Sequence, residues 1–305
     1  MKILSGLSND PLAQKISNYL GLKSVDVSLS TFSDGEIACE INENVRGEDC
    51  FIVQSMVNSD SIMALLIMAD ALKRASAGCI TAVVPYYGYA RQDRKSRSRT
   101  PITAKLIADL LQTSGFHRVI TMDLHAGQIQ GFFDIPVDDL YARKTFILDI
   151  QNQNLTDICI VSPDAGGAPR ARSIAKPLNA QMALIDKRRE KVNQSEVMHV
   201  VGERNVEGKN CIIVDDIADT CGTLVNAALA LKNAGAKSIR AYITHGVLSS
   251  NAKEKIALSC LEELVITDTI NHIETAKIRV ASVSDVFAEA IRRIYNNESV
   301  SNLFN

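Results

Sequence analysis

The chain has no tryptophan, only 5% aromatic residues and no excess of charge. Its 33 lysines and arginines stand against 35 aspartates and glutamates, a formal net charge of −2. With no global basic field, nothing favours an extended nucleic-acid face, and anions must be met by local patches. No apolar run approaches the roughly 18 residues of a membrane helix. The richest stretch, 62–72, is broken by Asp70 and followed by Lys73 and Arg74, so no membrane partner is expected. The first ten residues show neither a long apolar segment nor a small-residue cleavage pattern, and no signal peptide is read there. The seven cysteines, Cys39, Cys50, Cys79, Cys159, Cys211, Cys221 and Cys260, contain no CxxC pair. That disfavours a zinc site or disulfide framework and suits buried, reduced thiols in a cytoplasmic protein. The sequence also lacks GxxxxGK[ST], and no GxGxxG follows a strand, which disfavours the two commonest nucleotide-binding loops.

What is present is a globular chain of 305 residues, 46% hydrophobic, long enough for about two domains. Short runs rich in Ile and Val predict strands over 50–53, 80–84, 119–122, 158–161, 211–214, 239–244 and 264–267. They are apolar on both faces, as buried parallel strands are. Amphipathic patterns between them predict helices over 61–75, 103–113, 170–178 and 223–233, and a last helix over 286–294. The alternation argues for an α/β fold of mostly parallel central sheets flanked by helices. An internal repeat supports two domains. ALKRASAGCITA (71–82) and ALKNAGAKSIRA (230–241) share seven of twelve residues, and CFIV (50–53) and CIIV (211–214) precede them at nearly the same offset. We read a duplicated unit with a boundary near residue 145: one domain over 1–144, to which the tail 286–305 returns, and one over 145–285.

Chemistry-bearing residues gather where strands end. The strand at 211–214 runs into Asp215, Asp216 and Asp219, then Thr220-Cys221-Gly222-Thr223 and a helix. Gly222 lets the backbone approach a ligand, and the amides from Thr220 to Thr223 can cradle a phosphate. Asp215 and Asp216 then suit the hydroxyls of a sugar, or a metal bridging ligand and protein. The plainer alternative is a helix capped by Thr220 beside solvated acids. Arg91, Arg94, Lys95, Arg97 and Arg99 place five cations in nine residues after another strand, a pattern suited to polyphosphate or to a solvated loop. His125 ends a third strand as Thr121-Met122-Asp123-Leu124-His125. Asp164, in Ser162-Pro163-Asp164, reads as its counterpart in the other half. The two could bracket a metal ion. Lys187-Arg188-Arg189-Glu190-Lys191 is a cationic cluster leading into a polar loop.

Taken together these segments resemble the class I ribose-phosphate pyrophosphokinases, or phosphoribosyl pyrophosphate synthetases. The resemblance spans nearly the whole chain. Its markers are Asp215–Thr223 and, in order, Phe32-Ser33-Asp34-Gly35-Glu36, Asn44-Val45-Arg46-Gly47, Tyr89-Ala90-Arg91-Gln92-Asp93, Asp123-Leu124-His125-Ala126, Gln128 to Asp134, Ser162-Pro163-Asp164 and Asp186-Lys187-Arg188-Arg189. It implies two phosphoribosyltransferase-like α/β domains and transfer of the β,γ-diphosphoryl group of Mg-ATP to ribose 5-phosphate. It implies ATP contacts from Phe32, Asp34, Gly35, Glu36, Arg91 and Gln92. Ribose 5-phosphate would be held by Arg189, Asp215, Asp216, Asp219, Thr220, Cys221, Gly222 and Thr223. Mg²⁺ would be held at His125 and Asp164, and Lys187 and Arg189 would be the catalytic cations. Phosphate and ADP are implied as effectors, with Arg46, Gln130, Asp138 and Ser301 as candidate regulatory residues, in a homohexamer. Ala64 and Asn302 depart from the family's usual Glu and Tyr. A non-catalytic regulatory relative is disfavoured because Lys187, Arg189, His125 and the full 215–223 loop are present. A phosphoribosyltransferase would not be expected to keep the Arg-Gln-Asp and Phe-Ser-Asp-Gly-Glu segments.

Overall fold

The computed structural model describes residues 1–188 and 197–303. They divide into two compact units. The first comprises Met1–Tyr141, Thr269–Asn271 and Val283–Asn305, and the second Ala142–Asp268 and His272–Ser282. The chain therefore leaves the first unit at Tyr141, and both Thr269–Asn271 and the C-terminal segment from Val283 belong to that unit.

The first unit opens with β1 (Lys2–Ser5) and α1 (Asp10–Tyr19). A hairpin of β2 (Val27–Thr31) and β3 (Ile37–Ile41) follows, then β4 (Asp49–Val53), α2 (Ser59–Arg74), β5 (Cys79–Val84), α3 (Thr103–Ser114), β6 (Arg118–Met122) and β7 (Val137–Leu140). β1, β4, β5, β6 and β7 form, in that order, a five-stranded parallel sheet. Its strands bury nearly every residue, as both-face coverage by helices requires. α2 starts two residues before the apolar periodicity does because Asn58 and Ser61 form a capping box: each side chain meets the other's backbone amide. The hairpin carries no apolar run, so the sequence alone did not announce it. Its turn is closed by Phe32 N–H to Glu36 O (2.8 Å), Gly35 N–H to Phe32 O (2.9 Å) and Glu36 N–H to Asp34 Oδ1 (3.1 Å). Gly35 takes a φ of 96° there.

The second unit runs through α4 (Arg143–Asn152), β8 (Ile158–Ser162), α5 (Ala168–Ala175), β9 (Gln181–Arg188), β10 (Val197–Val201), β11 (Asn210–Ala218), α6 (Gly222–Asn233), β12 (Ser238–Gly246), α7 (Ala252–Leu258), β13 (Glu263–Thr267) and β14 (Ile278–Ala281). Its seven strands lie in the order β10-β9-β8-β11-β12-β13-β14, with only β10 antiparallel. The repeat read from the sequence is real in three dimensions: α2 joins adjacent strands β4 and β5, and α6 joins adjacent strands β11 and β12. α4 is fastened to its sheet by Asp149, which takes a two-pronged bond from Arg279 (both 2.7 Å) and a third from the Tyr242 hydroxyl (2.7 Å). The last helix, α8 (Ser284–Tyr295), buries Phe287, Ala288, Ala290 and Ile291 and packs against α1 in the first unit.

One backbone contact fixes the long segment after β5. A Cβ built on Gly88 would stand 2.1 Å from the carbonyl oxygen of Met56, and that oxygen is main chain. The same two segments are joined by Met56 N–H to Tyr86 O at 2.9 Å. Gly88→Ala is expected to cost about 1–3 kcal/mol through overpacking, which lowers Tm by about 2–4 °C per kcal/mol in a domain of 150–250 residues. Thermal denaturation beside the wild type measures it, and an unchanged Tm would show that the 85–88 segment can move aside.

Candidate active site

Because the strands of the two large sheets, β10 apart, are parallel, their carboxyl ends share one edge, where ligands bind in such folds. In the second unit that edge carries β11, and here the structure corrects the sequence reading. Asp215 and Asp216 lie inside the strand, which continues to Ala218 with Asp215 opposite Ile243 and Ile217 opposite His245 on β12. The other side is different. Pairing of β11 with β8 stops at Ile213 opposite Val161, short of the acids, and α5, which follows β8, packs against β11. Asp216 is only 6% exposed, and its amide donates to Asp215 Oδ1 at 2.9 Å. Arg170, from the first turn of α5, places Nη1 3.3 Å from Asp216 Oδ1 and 3.6 Å from Asp215 Oδ1. Burial first, and Asp216 second, push the Asp215 carboxyl up to about 8, against the pull of Arg170.

The segment after β11 is stapled from α7 and the segment that joins β12 to it. Ser249 donates its hydroxyl to Asp219 Oδ1 (2.5 Å) and its amide to Asp219 O (3.1 Å), while Leu248 N–H reaches Ala218 O (3.0 Å). Lys255 Nζ donates to Thr220 O at 3.0 Å. Thr220 does not cap the helix: the cap position is Cys221, in the left-handed region with φ 58° and no side-chain cap bond. The left-handed residue turns the chain so that α6 begins at Gly222, where an added Cβ would meet no heavy atom within 4 Å. The helix N-terminus, with its first amides, therefore opens onto space. Cys221 is buried, and burial pushes its thiol up to about 11, so it is neutral at physiological pH and a poor nucleophile.

Asp164 is exposed just beyond β8, and its Oδ1 accepts from Gly167 N–H at 2.8 Å while Ser162 Oγ donates to Asp164 O at 2.7 Å. Its expected correspondence with His125 does not hold in topology. His125 follows β6, a neighbour of β5. Asp164 follows β8, which lies beside β11 as β1 lies beside β4. In the first unit, exposed His125 and buried Asp123 leave the carboxyl end of β6, where Leu124 N–H is held by Asp139 Oδ1 at 3.1 Å. Arg91 and Gln92 are exposed in the segment after β5. Gln92 N–H is bound to Tyr89 O (2.9 Å), and its Oε1 accepts from Thr103 Oγ1 (2.5 Å). Phe32, 59% exposed, stands with Asp34, Gly35 and Glu36 at the β2–β3 turn. Lys187 is the seventh residue of β9 and lies three places beyond Leu184, the partner of the last residue of β8. Arg189 lies outside the described residues.

The four candidate regulatory residues all belong to the first unit but not to one end of its sheet. Arg46 precedes β4 and Gln130 follows β6. Asp138, on β7, is 9% exposed and holds Arg118 Nη1 at 2.5 Å. Exposed Ser301 donates its amide N–H to Ser299 Oγ at 3.2 Å.

Comparison with known proteins then decides the family. Residues 1–115 match the model for the N-terminal domain of ribose phosphate pyrophosphokinase, and residues 189–305 match the phosphoribosyl synthetase-associated domain. The ribose-phosphate pyrophosphokinase of Campylobacter jejuni is 55% identical over 99% of this chain and 98% of its own length. The chain belongs to the ribose-phosphate pyrophosphokinase family. The family member of that name from Hyphomonas neptunium is 54% identical over 100% of this chain and 99% of its own. A crystal structure of phosphoribosylpyrophosphate synthetase from Mycobacterium smegmatis superposes with a TM-score of 0.89, at 38% identity, over 97% of this chain and 99% of that one.

The family's Mg²⁺ can be tested against the residues present. His125 in the first unit and Asp164 in the second are each exposed, and an imidazole nitrogen or a carboxylate oxygen is by itself a donor that a small hard cation accepts. Among the described residues no three His, Cys, Asp or Glu side chains gather to cage an ion. Three residues of the site were not found from sequence: Arg170, Ser249 and Lys255. Arg170 left a trace in Gly-Ala-Pro-Arg-Ala-Arg, a cation in the first turn of a helix following a strand end. Ser249 and Lys255 left none, since each meets its partner about 30 or more residues away in the chain.

Proposed function

We infer that this protein transfers the β,γ-diphosphoryl group of ATP to ribose 5-phosphate, releasing AMP. The sugar 1-oxygen forms a bond to the β-phosphorus, the bond from that phosphorus to the oxygen of AMP breaks, and the hydroxyl proton passes to solvent. Catalysis of such a transfer is mostly positioning and neutralisation of charge. The observation that carries the reading is the acid pair of β11, seven and six residues before α6 begins at an open Gly222: carboxylates that accept from a sugar diol beside amides that bind its 5-phosphate. Arg189 joins Asp215, Asp216 and Asp219–Thr223 in holding the sugar phosphate. Phe32, Asp34, Gly35, Glu36, Arg91 and Gln92 hold ATP, and Lys187 and Arg189 face the charge that develops on the transferring group. Mg²⁺, when bound with ATP, neutralises its phosphate oxygens, and His125 and Asp164 are the residues assigned to it. The same family reading gives a cytoplasmic homohexamer that responds to phosphate and ADP through Arg46, Gln130, Asp138 and Ser301.

The test is incubation with Mg²⁺, ATP and ribose 5-phosphate, quantifying both products. AMP and phosphoribosyl pyrophosphate in equal amounts support the reading. ADP in place of AMP, or consumption of phosphoribosyl pyrophosphate with a free nucleobase, would replace it.

The position of the Asp215 carboxyl adds a pH dependence. Its pKa lies above the ordinary carboxylate value, so the ionised, acceptor form is lost as pH falls below about 8. Binding of ribose 5-phosphate is expected to weaken about tenfold per pH unit on that side. Calorimetry between pH 6.5 and 9, with inorganic phosphate as the control for titration of the phosphate itself, checks the slope.

A further inference from the structure

We propose that Arg170 is the positioning residue of the sugar site, acting through Asp215 and Asp216 to keep both carboxylates as hydrogen-bond acceptors aimed at the sugar hydroxyls. The inference rests on the reading of Asp215 and Asp216 as the sugar's partners and goes beyond it by naming what makes them competent.

Three observations carry it. Two acids adjacent in a strand ordinarily point to opposite faces, yet one guanidinium nitrogen stands 3.3 Å from Asp216 and 3.6 Å from Asp215. The arrangement is possible because β8 stops pairing with β11 at Ile213, and α5, which follows β8, delivers Arg170 beside the unpaired end of the strand. Finally, the three groups share a confined space: the side chains of Arg170, Asp215 and Asp216 are 22%, 27% and 9% exposed.

Two carboxylates this close and this poorly hydrated do not both ionise without a cation. Arginine supplies a permanent charge and fixed donors. With Arg170 in place Asp215 holds its proton below about pH 8; without it the proton is held to higher pH, so one oxygen that should accept from a sugar hydroxyl stays a donor there and the match fails. The loss falls on the hydroxyls and not on the 5-phosphate, which is met at the other end of the site by the amides of α6. Arg170 therefore contributes to selectivity for a sugar that carries the 2-hydroxyl.

Arg170→Ala, Arg170→Gln and Arg170→Lys separate charge from shape. Dissociation constants for ribose 5-phosphate, 2-deoxyribose 5-phosphate and inorganic phosphate are measured by calorimetry on the full chain at about pH 9, above the point at which Asp215 loses its proton in the wild type, with Tm recorded for each variant. Arg170→Ala and Arg170→Gln are expected to bind ribose 5-phosphate about tenfold more weakly, the scale of a charge-assisted bond. Both should bind inorganic phosphate as the wild type does, so preference for the ribo over the deoxy sugar collapses. Arg170→Lys should recover part of that preference. Equal weakening for both sugars and for phosphate would overturn the proposal and place Arg170 in the phosphate contact or the fold. So would unchanged preference in folded Arg170→Gln. Should Arg170→Ala fail to fold, the Gln and Lys variants decide. A wild type that does not distinguish the two sugars would instead refute the sugar reading of the acid pair, whatever the variants do.

Discussion

Replacing Lys187 with alanine is expected to lower kcat by about 100- to 1,000-fold, the loss seen when one preorganised donor to a transition-state charge is removed. The KM values for ATP and ribose 5-phosphate should move much less, because the interaction strengthens as charge develops and adds little to ground-state binding. The backbone gives the residue its place. β8 ends at Ser162 opposite Leu184, while β9 continues to Arg188, so Lys187 stands past the end of its neighbour on the edge where β11 delivers Asp215 and Asp216. Alanine keeps the strand conformation and the ladder to Met198 on β10. Steady-state kinetics with AMP as readout, together with an unchanged Tm, isolates the chemical step. Turnover equal to the wild type would keep the family and remove Lys187 from the reaction.

Asp216→Asn is expected to lower kcat/KM for ribose 5-phosphate by about 10- to 150-fold, the equivalent of one hydrogen bond to a charged group. Most of the loss should lie in KM for the sugar, with KM for ATP unchanged. The substitution is nearly isosteric, so a residue 6% exposed is replaced without a cavity. What changes is charge. Arg170 keeps the Asp215 carboxylate as a charged neighbour, at 3.6 Å. Asp215 in turn loses the like-charged neighbour that, after burial, raises its pKa. The acid limb of the residual sugar binding must then move below pH 8, towards the ordinary carboxylate value. A variant with the wild-type pH profile would show that the two carboxyls do not titrate together.

The sequence made much of this legible, and the parts it hid have a common cause. The buried parallel strands were readable because Ile and Val run unbroken where helices cover both faces, as in 211–214 and 80–84. The duplicated unit was readable because α2–β5 and α6–β12 share a residue pattern. The start of α6 was readable to within a residue, at 223 against Gly222, but its cap is Cys221 and not Thr220. By contrast, the β2–β3 hairpin has no apolar run, and its strands are partly exposed. The end of β11 was hidden for the opposite reason: two aspartates are poor strand formers, yet the strand continues through them because β12 supplies ladder partners as far as Gly246. The return of α8 to the first unit depends on its pairing with α1, at the far end of the chain.

By itself, then, the sequence determined the types of chemistry and their order: carboxylates before an anion cradle, arginines after β5, and cations at the end of β9. Those are local properties, set by propensity, periodicity and turn residues. Which charges meet was decided only by the tertiary structure. Arg170 reaches Asp216 across 46 residues because β8 stops pairing where the acids begin, and hydrogen bonds and ion pairs depend on distances that no residue order encodes.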